Sequence, residues 1–497
     1  MFKAVKVGGR GAAQVLVVGQ FKGAKSAEGH AKDGAIGEVL SRTEATGDVG
    51  RIVEAFPAKG RGKSAGPSRI VVVGLGEKKS LNAETMRSVA AAVGRWIATT
   101  KDTKIDVDLA AACKAAGLDA QRAGCAFGEG LGLVAWTCDQ FRGTASSKST
   151  LTSLEVRSDS KPFAAGLERG VGLAESANIA RTLSQTPPNI ATTSYMASEA
   201  KKMARQVGLK CTVIQGSKLD DEGLVGIKTV GAASENKPCL VRLEYTPSAR
   251  ARSGKPVVLV GKTMTYDSGG LSLKVGGSMA GMKRDKDGGC AVFGAMHAIA
   301  TVIKPNRKVV ALLCIAENSV SDEAYRPDDV LTFRNGVTVE VTNTDAEGRL
   351  VMADALCWAC EREDPACVID VATLTGGVVV ALGSTFAGMW CDDDKLRRKV
   401  EDASEVSGER VWRLPHHQEY RDMMKSPVAD ILNSNPNRKA HPIQGAAFLS
   451  YFVEEGVPWC HLDIAGVHAT DKDSGPYIAG PTGWGTRLLA ELLGGGA

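Results

Sequence analysis

The stretch Val309-Val-Ala-Leu-Leu-Cys-Ile-Ala316 is the densest apolar run of the chain and predicts a buried β-strand. Other runs rich in β-branched and apolar residues are spread over the sequence around it. The predicted strands are Pro256–Gly261, Lys308–Ile315, Val337–Val341, Cys367–Ala372 and Trp459–Ala465. Helical stretches alternate with them at Ser194–Val207, Gly288–Val302, Leu350–Glu361 and Ile443–Glu454. This alternation indicates an α/β sheet with helices on both faces.

A second α/β pattern occupies the beginning of the chain. Its strand-like and helical runs are Val15–Gly19, Arg69–Gly74, Ala83–Thr99 and Leu109–Ala116. A Ser-, Thr- and Lys-rich segment, Gly143–Ser160, predicts a domain edge, and the helical pattern after it stops at Pro187-Pro188. We therefore expect an N-terminal α/β domain over residues 1–160, a connecting helix over 161–188 and a second domain over 189–497.

Composition excludes several classes of protein. The 497 residues include 61 basic and 56 acidic side chains without a basic run, so we expect no nucleic-acid partner. No stretch approaches the ~20 apolar residues that cross a bilayer, and no apolar signal core opens the chain. Twelve cysteines without framework spacing are typical of reduced thiols and predict a cytoplasmic protein. Cys357-Trp-Ala-Cys360 matches a redox or zinc half-site, but buried thiols in a helix are the favoured interpretation.

Two segments concentrate acidic residues and lysines. The first contains Lys262 and Asp267 directly after a strand predicted to end at Gly261, so we expect both side chains at the sheet edge. It continues through Lys274 and reaches Asp285. The second reads Asn343-Thr-Asp-Ala-Glu-Gly-Arg-Leu350. Its Asp345, Glu347 and Arg349 are two residues apart, a spacing that would aim all three side chains the same way in an extended loop.

Each segment alone also has an ordinary explanation. Asp345, Glu347 and Arg349 could be a helix cap and a solvated ion-pair ladder, and Lys262 and Lys274 could be surface lysines. The assembly favours another interpretation. Its four carboxylates are Asp267, Asp285, Asp345 and Glu347. Crowded carboxylates raise one another's pKa, and two divalent cations would resolve the repulsion.

Together these segments resemble the signature of the cytosolic leucyl aminopeptidases, and the block Asn343–Leu350 is its most specific part. Further matching segments are Met282-Lys-Arg-Asp285, Ala372-Thr-Leu-Thr-Gly376, Trp412-Arg-Leu-Pro415 and His461-Leu-Asp-Ile-Ala-Gly466. The resemblance runs from about Leu183 to the C-terminus. It implies an N-terminal α/β domain joined by a helix to a C-terminal catalytic domain, which has a mixed central sheet flanked by helices. It also implies a homohexamer that acts on short peptides with a free N-terminus.

The resemblance also assigns roles to single residues. It implies one metal ion held by Lys262, Asp267, Asp285 and Glu347, and a second held by Asp267, Asp345 and Glu347. Lys274 and Arg349 would be the catalytic pair, with a bicarbonate on Arg349 as the base. Met282, Thr373, Leu374 and Gly376 would line the pocket for the first side chain. The ions would be Zn²⁺ or Mn²⁺, with Mg²⁺ or Co²⁺ as further candidates because the ligands are almost all oxygens.

The expected reaction is removal of an N-terminal leucine or similar residue by a hydroxide that bridges the two ions, with Lys274 stabilising the oxyanion. No histidine stands out in the sequence as a general base. Two rivals remain: a two-metal phosphoesterase, and an inactive homologue kept as a scaffold.

The chain departs from the family pattern at three places. Asp285-Lys-Asp-Gly-Gly289 replaces the usual Asp-Met-Gly-Gly and adds a Lys–Asp pair beside a metal ligand. Arg326-Pro-Asp-Asp-Val330 has an aspartate where glycine is common, which would alter a turn. Pro436–Pro442 replaces a glycine-rich loop. These changes bear on pocket shape and metal preference.

Overall fold

The computed structural model describes residues 2–9, 12–57, 67–145, 153–247 and 254–494. It divides into two compact units. One comprises Met1–Asn178 with Asp471–Ala479, and the other Ile179–Thr470 with Gly480–Ala497. The domain boundaries drawn from the sequence stay a prediction, and residues 146–152 of the expected domain edge lie outside the described residues. No described helix is long and apolar enough to cross a membrane.

The N-terminal unit is an α/β layer structure. Its elements, with the helix that follows them, are β1 (Val5–Val7), β2 (Val15–Phe21), α1 (Gly34–Leu40), β3 (Ile52–Ala55), β4 (Arg69–Gly76), α2 (Ala83–Thr100), β5 (Lys104–Asp108), α3 (Ala110–Ala115), α4 (Ala120–Ala135), β6 (Leu154–Arg157) and α5 (Lys161–Gln185). The sheet order is β1-β6-β5-β2-β4-β3, and β3 alone among these strands pairs antiparallel. The predicted α/β character of this part of the chain is confirmed.

The second unit contains the remaining elements. Its helices are α6 (Thr193–Val207), α7 (Lys218–Asp221), α8 (Val225–Val230), α9 (Asp287–Ala298), α10 (Glu347–Glu363), α11 (Gly376–Leu382), α12 (Asp394–Ser407), α13 (Gln418–Asp422), α14 (His441–Leu449) and α15 (Thr486–Gly494). Its strands are β7 (Lys210–Gln215), β8 (Cys239–Tyr245), β9 (Val257–Asp267), β10 (Val309–Asn318), β11 (Val330–Thr332), β12 (Thr338–Glu340), β13 (Cys367–Ala372), β14 (Ala387–Cys391), β15 (Val411–Arg413), β16 (Ile431–Leu432), β17 (Trp459–Asp463), β18 (Ala469–Thr470) and β19 (Gly480–Pro481). Short 3₁₀ or π turns lie at Lys78–Ser80, Gly143–Ala145, Met282–Arg284, Ile299–Ile303 and Ser450–Phe452.

The central sheet of this unit has eight strands in the order β15-β14-β17-β13-β9-β10-β8-β7. The pairs around β9 are parallel, whereas β10 with β8 and β14 with β17 are antiparallel. The expected mixed sheet is therefore confirmed.

Both faces of this sheet are covered, which explains its apolar strands. Along β10, Val309, Ala311 and Leu313 pack into one buried cluster with residues of α6, α9, α12 and α15. Val310 and Leu312 pack into the opposite cluster with α8, α10 and α14. Successive strand residues point to opposite faces, so a strand between two helical layers needs apolar residues at every position.

Strand β9 is longer than its sequence predicts. The strand was expected to end at Gly261, yet it continues to Asp267 and pairs with β10 as far as Asn318. Gly261 does not end the strand but permits a close approach, because a Cβ there would lie 2.6 Å from the Cα of Gly289 on α9. Lys262 and Asp267 therefore lie within the central strand, and the prediction that they follow it was wrong.

Candidate active site

A β-bulge places two of the candidate ligands on one face of β9. The register runs from Met264 opposite Ala316 to Asp267 opposite Asn318, so β9 carries one extra residue at this point. Lys262 and Asp267 are an odd number of positions apart and would face opposite sides in a regular strand. The extra residue reverses the alternation and allows both side chains to point into the same site.

Lys262 is buried among carboxylates. Its Nζ lies 2.9 Å from Asp285 Oδ1 and 2.9 Å from Glu347 Oε1, and it donates to the carbonyl of Thr373 at 3.0 Å. Burial disfavours the charge of Lys262, but Asp285 and Glu347 outweigh it and raise the pKa of this lysine above its ordinary value. Gly348 makes room for the lysine, since a Cβ there would lie 2.5 Å from Nζ.

Lys274 occupies the other half of the carboxylate cluster. Its Nζ lies 2.9 Å from Asp267 Oδ2 and 2.5 Å from Asp345 Oδ1. Burial opposes the positive charge here as well, but Asp267 and the other carboxylates raise the pKa of Lys274. In this structure each lysine thus neutralises a different part of the cluster.

The carboxylates of the cluster are crowded together. Oxygens of Asp267, Asp345 and Glu347 all lie within 4.8 Å of one another. Burial and the charge of Asp267 raise the pKa of both Asp345 and Glu347. Asp285 Oδ2 and Glu347 Oε2 are buried without a hydrogen-bond partner among the described residues. Unpartnered carboxylate oxygens in a crowded acidic cluster fit divalent cations, which would satisfy the oxygens and remove the repulsion.

Glu347 and Arg349 reach the site from a helix rather than from an extended loop. Helix α10 begins at Glu347, so the predicted extended conformation of the segment was wrong. The ordinary alternative is also excluded, because Ala346 makes no side-chain cap and Glu347 and Arg349 are 1% and 3% exposed. Asp345 lies in the turn before the helix, and that turn brings it beside Glu347.

A cavity of about 1090 Å³ opens over the cluster. All five candidate metal ligands line it, as do Lys274 and Arg349. The residues expected to form the pocket for the first side chain line it too; these are Met282, Thr373, Leu374 and Gly376. The loop that carries three of them is tied to the site, because Thr373 Oγ1 donates to Asp285 Oδ1 at 2.9 Å. Every site residue singled out in the sequence therefore borders one cavity.

Residues 178–490 match the cytosol aminopeptidase family, catalytic domain, and residues 17–145 match the N-terminal domain of the same family. The chain belongs to the cytosol aminopeptidase family. It is accordingly a metallo-aminopeptidase that hydrolyses peptides.

Relatives within the family are similar over most of their length. A probable cytosol aminopeptidase of Acidobacterium capsulatum is 39% identical, over 86% of this chain and 83% of that protein. One from a Synechococcus strain is 36% identical, over 92% of this chain and 91% of the relative. Among solved structures, the bottromycin maturation enzyme BotP in complex with Mn superposes with a TM-score of 0.84. That structure is 34% identical and covers 97% of this chain and 99% of its own.

Arg349 is a buried cation of this cytosol aminopeptidase site. Its Nη1 donates to the carbonyl of Asn433 at 2.8 Å, and its Nε has no partner among the described residues. Burial lowers the pKa of Arg349 to about 10. The guanidinium remains charged at neutral pH, and its unpartnered Nε offers a donor to an anion.

The side chains of Lys286 and Asp287, the two substituted residues after Asp285, do not form an ion pair with each other. Lys286 is fully buried, and its Nζ donates to the carbonyls of Ser184 and Thr186 at 3.2 Å each. Asp287 instead contacts His468, and its Oδ2 lies 2.8 Å from His468 Nδ1. At the second departure Asp328 adopts a φ of 77°, so an aspartate occupies a left-handed turn position that favours glycine.

Three residues that the sequence did not indicate also belong to the site. His441 and His468 line the cavity, although no histidine stood out in the sequence as a general base. Asp463 is fully buried and accepts from the backbone N–H groups of Leu374 and Thr375 at 3.0 Å each, which fixes the pocket loop. Asp463 and His468 lie in or just after His461–Gly466, a matching segment to which no role had been assigned.

Proposed function

We propose that the chain removes leucine and similar residues from the free N-terminus of short peptides at a centre of two divalent metal ions. The observation that carries the proposal is the convergence of three carboxylates within 4.8 Å beside the buried Lys262 and the half-buried Lys274. One ion would be held by Lys262, Asp267, Asp285 and Glu347. The other would be held by Asp267, Asp345 and Glu347.

The proposed ligand atoms indicate which metal ions the site would bind. Apart from Lys262 the proposed ligands are carboxylates, and hard oxygen donors suit Mn²⁺ or Mg²⁺ as well as Zn²⁺ or Co²⁺. A solved structure similar to this chain is described as a complex with Mn, which supports Mn²⁺ as the first metal to test. When bound, the two ions would supply a water of lowered pKa and a Lewis acid for the scissile carbonyl.

Side chains around the metal centre would stabilise the oxyanion, hold the base and bind the first side chain of the substrate. Neighbouring carboxylates raise the pKa of Lys274, and its ammonium would donate to the oxyanion that forms on the scissile carbonyl. Arg349 would hold the bicarbonate that the resemblance implies as the base. Met282, Thr373, Leu374 and Gly376 would receive the first side chain. A homohexamer in the cytoplasm completes the proposal, on the resemblance and on the name that the relatives carry.

Hydrolysis of leucine p-nitroanilide by the chelator-treated protein, with and without added Mn²⁺, tests this proposal. We expect release of nitroaniline that depends on Mn²⁺. Cleavage of p-nitrophenyl phosphate without cleavage of the anilide would favour the phosphoesterase. Cleavage of neither substrate, with any of the four metals, would identify an inactive scaffold. Either result contradicts the proposal.

A further inference from the structure

One wall of the active-site cavity carries a histidine held by an aspartate. His468 lines the cavity with 24% of its side chain exposed, and its Nδ1 lies 2.8 Å from Asp287 Oδ2. Asp287 is buried and begins α9, where the positive end of the helix dipole favours a carboxylate. A carboxylate can only accept a hydrogen bond, so Nδ1 carries the proton and Nε2 of the neutral ring remains an acceptor.

The backbone places His468 beside the pocket for the first side chain. Ile464 donates its N–H to the carbonyl of Ala372 at 2.8 Å, immediately before Thr373 and Leu374. A Cβ at Gly466 would lie 2.1 Å from the carbonyl oxygen of Gly383, so the loop before His468 packs tightly against the end of α11. The pocket loop and the loop of His468 therefore form one continuous wall.

Several apolar side chains also line this cavity. Met282, Leu374 and Ala465 line the cavity with apolar groups. An aliphatic first residue would fit this surface but would leave Nε2 of His468 unpaired when water is displaced. A first residue of the same shape with a hydroxyl or amide N–H would supply the missing donor.

We propose that His468, positioned by Asp287, is a specificity-determining residue that accepts a hydrogen bond from the first side chain of the substrate. The inference rests on the proposed aminopeptidase function and extends its substrate class. His468 raises kcat/KM for threonine and asparagine relative to their isosteres valine and leucine. Asp287 belongs to the segment that departs from the family pattern.

Four dipeptides test the inference: Asn-Ala, Leu-Ala, Thr-Ala and Val-Ala, each assayed with Mn²⁺. The readouts are the Asn/Leu and Thr/Val ratios of kcat/KM, in which differences in the amount of active enzyme cancel. Replacing His468 by leucine should lower both ratios about three- to tenfold, the value of one hydrogen bond between neutral groups. His468→Gln retains an acceptor and should keep most of the preference.

A second Asp-paired histidine provides the matched control. His416 Nδ1 lies 2.7 Å from Asp392 Oδ2, and His416 is not among the described residues that line the cavity. His416→Leu should leave both ratios unchanged. Unchanged ratios in His468→Leu, or an equal fall in His416→Leu, overturn the inference. If the wild type cleaves none of the four dipeptides, the proposed function itself fails, and the inference fails with it.

Discussion

Lys262 and Lys274 lie in the same carboxylate cluster but have opposite proposed roles. A lysine binds a metal ion only as the neutral amine, and lowering its pKa from about 10.4 to below 7 costs roughly 5 kcal/mol. Without ions, Asp285 and Glu347 hold Lys262 in its charged form. Only bound dications could lower the pKa of Lys262 enough to make its amine neutral. Lys274 needs its proton in order to donate to an oxyanion, and the neighbouring carboxylates favour the protonated form.

Replacing each lysine by alanine should therefore impair the enzyme in a different way. Lys262→Ala should lower metal occupancy and regain part of its activity in excess metal. Lys274→Ala should keep both ions and turn over about 10²–10³-fold more slowly at any metal concentration, because a donor to the oxyanion is lost. Elemental analysis of both purified variants, with kcat against metal concentration, distinguishes them. Full occupancy in Lys262→Ala, or lost metal in Lys274→Ala, would show that the roles are reversed.

At the residue scale the sequence indicated the charged side chains of the site but not their surroundings. The block Asn343–Leu350 carries an unusual density of charge, so its residues could be predicted. Asp463 and His468 could not, because an aspartate that binds backbone N–H groups looks like any other aspartate in a sequence. Their positions depend on loops that meet only in the folded chain.

The existence of a strand or helix was easier to predict than the residues at which it begins and ends. Strand β13 was predicted with its observed bounds, because its run of β-branched and apolar residues follows a proline, Pro365. Strand β9 was cut short at Gly261, where local propensity suggests an end but pairing with β10 continues the strand. The bulge that brings Lys262 and Asp267 together depends on the register of two strands, which no local pattern records.

The packing of helix α8 on α10 predicts a dependence of stability on pH. Asp354 of α10 is fully buried and accepts from the N–H of Ile227 at 2.7 Å. Burial raises the pKa of Asp354 from 3.8 to about 8, against the effect of the backbone hydrogen bonds. A carboxyl with a raised folded pKa stabilises the fold below its unfolded pKa, and this contribution is lost as the pH rises through about 8.

Asp354→Asn removes the titration and keeps an oxygen acceptor for Ile227. Its melting temperature minus that of the wild type should therefore increase as the pH is raised from about 5 to about 9. Asp402→Asn, at an exposed position of α12, is the control and should show a constant difference. A constant difference for Asp354→Asn as well would refute the account of this helix pair.

At the scale of the whole molecule, the resemblance predicts a homohexamer. Light scattering should give a mass near six times that of the 52.0 kDa chain. Closed assemblies of identical chains are common, and this one is large enough to size without ambiguity. A stable monomer with full activity would contradict the prediction.

The central claim is that the cluster around Glu347 would hold two metal ions, with Glu347 as a ligand of both. The most direct measurement is the number of Mn²⁺ ions bound per chain after chelation and dialysis, for the wild type and for Glu347→Ala. We predict two ions in the wild type, and fewer in the variant. The variant should also keep a cooperative melting transition but lose the hydrolysis of leucine p-nitroanilide. Equal metal content in the two proteins, or near-wild-type turnover of the variant at saturating Mn²⁺, would contradict the claim.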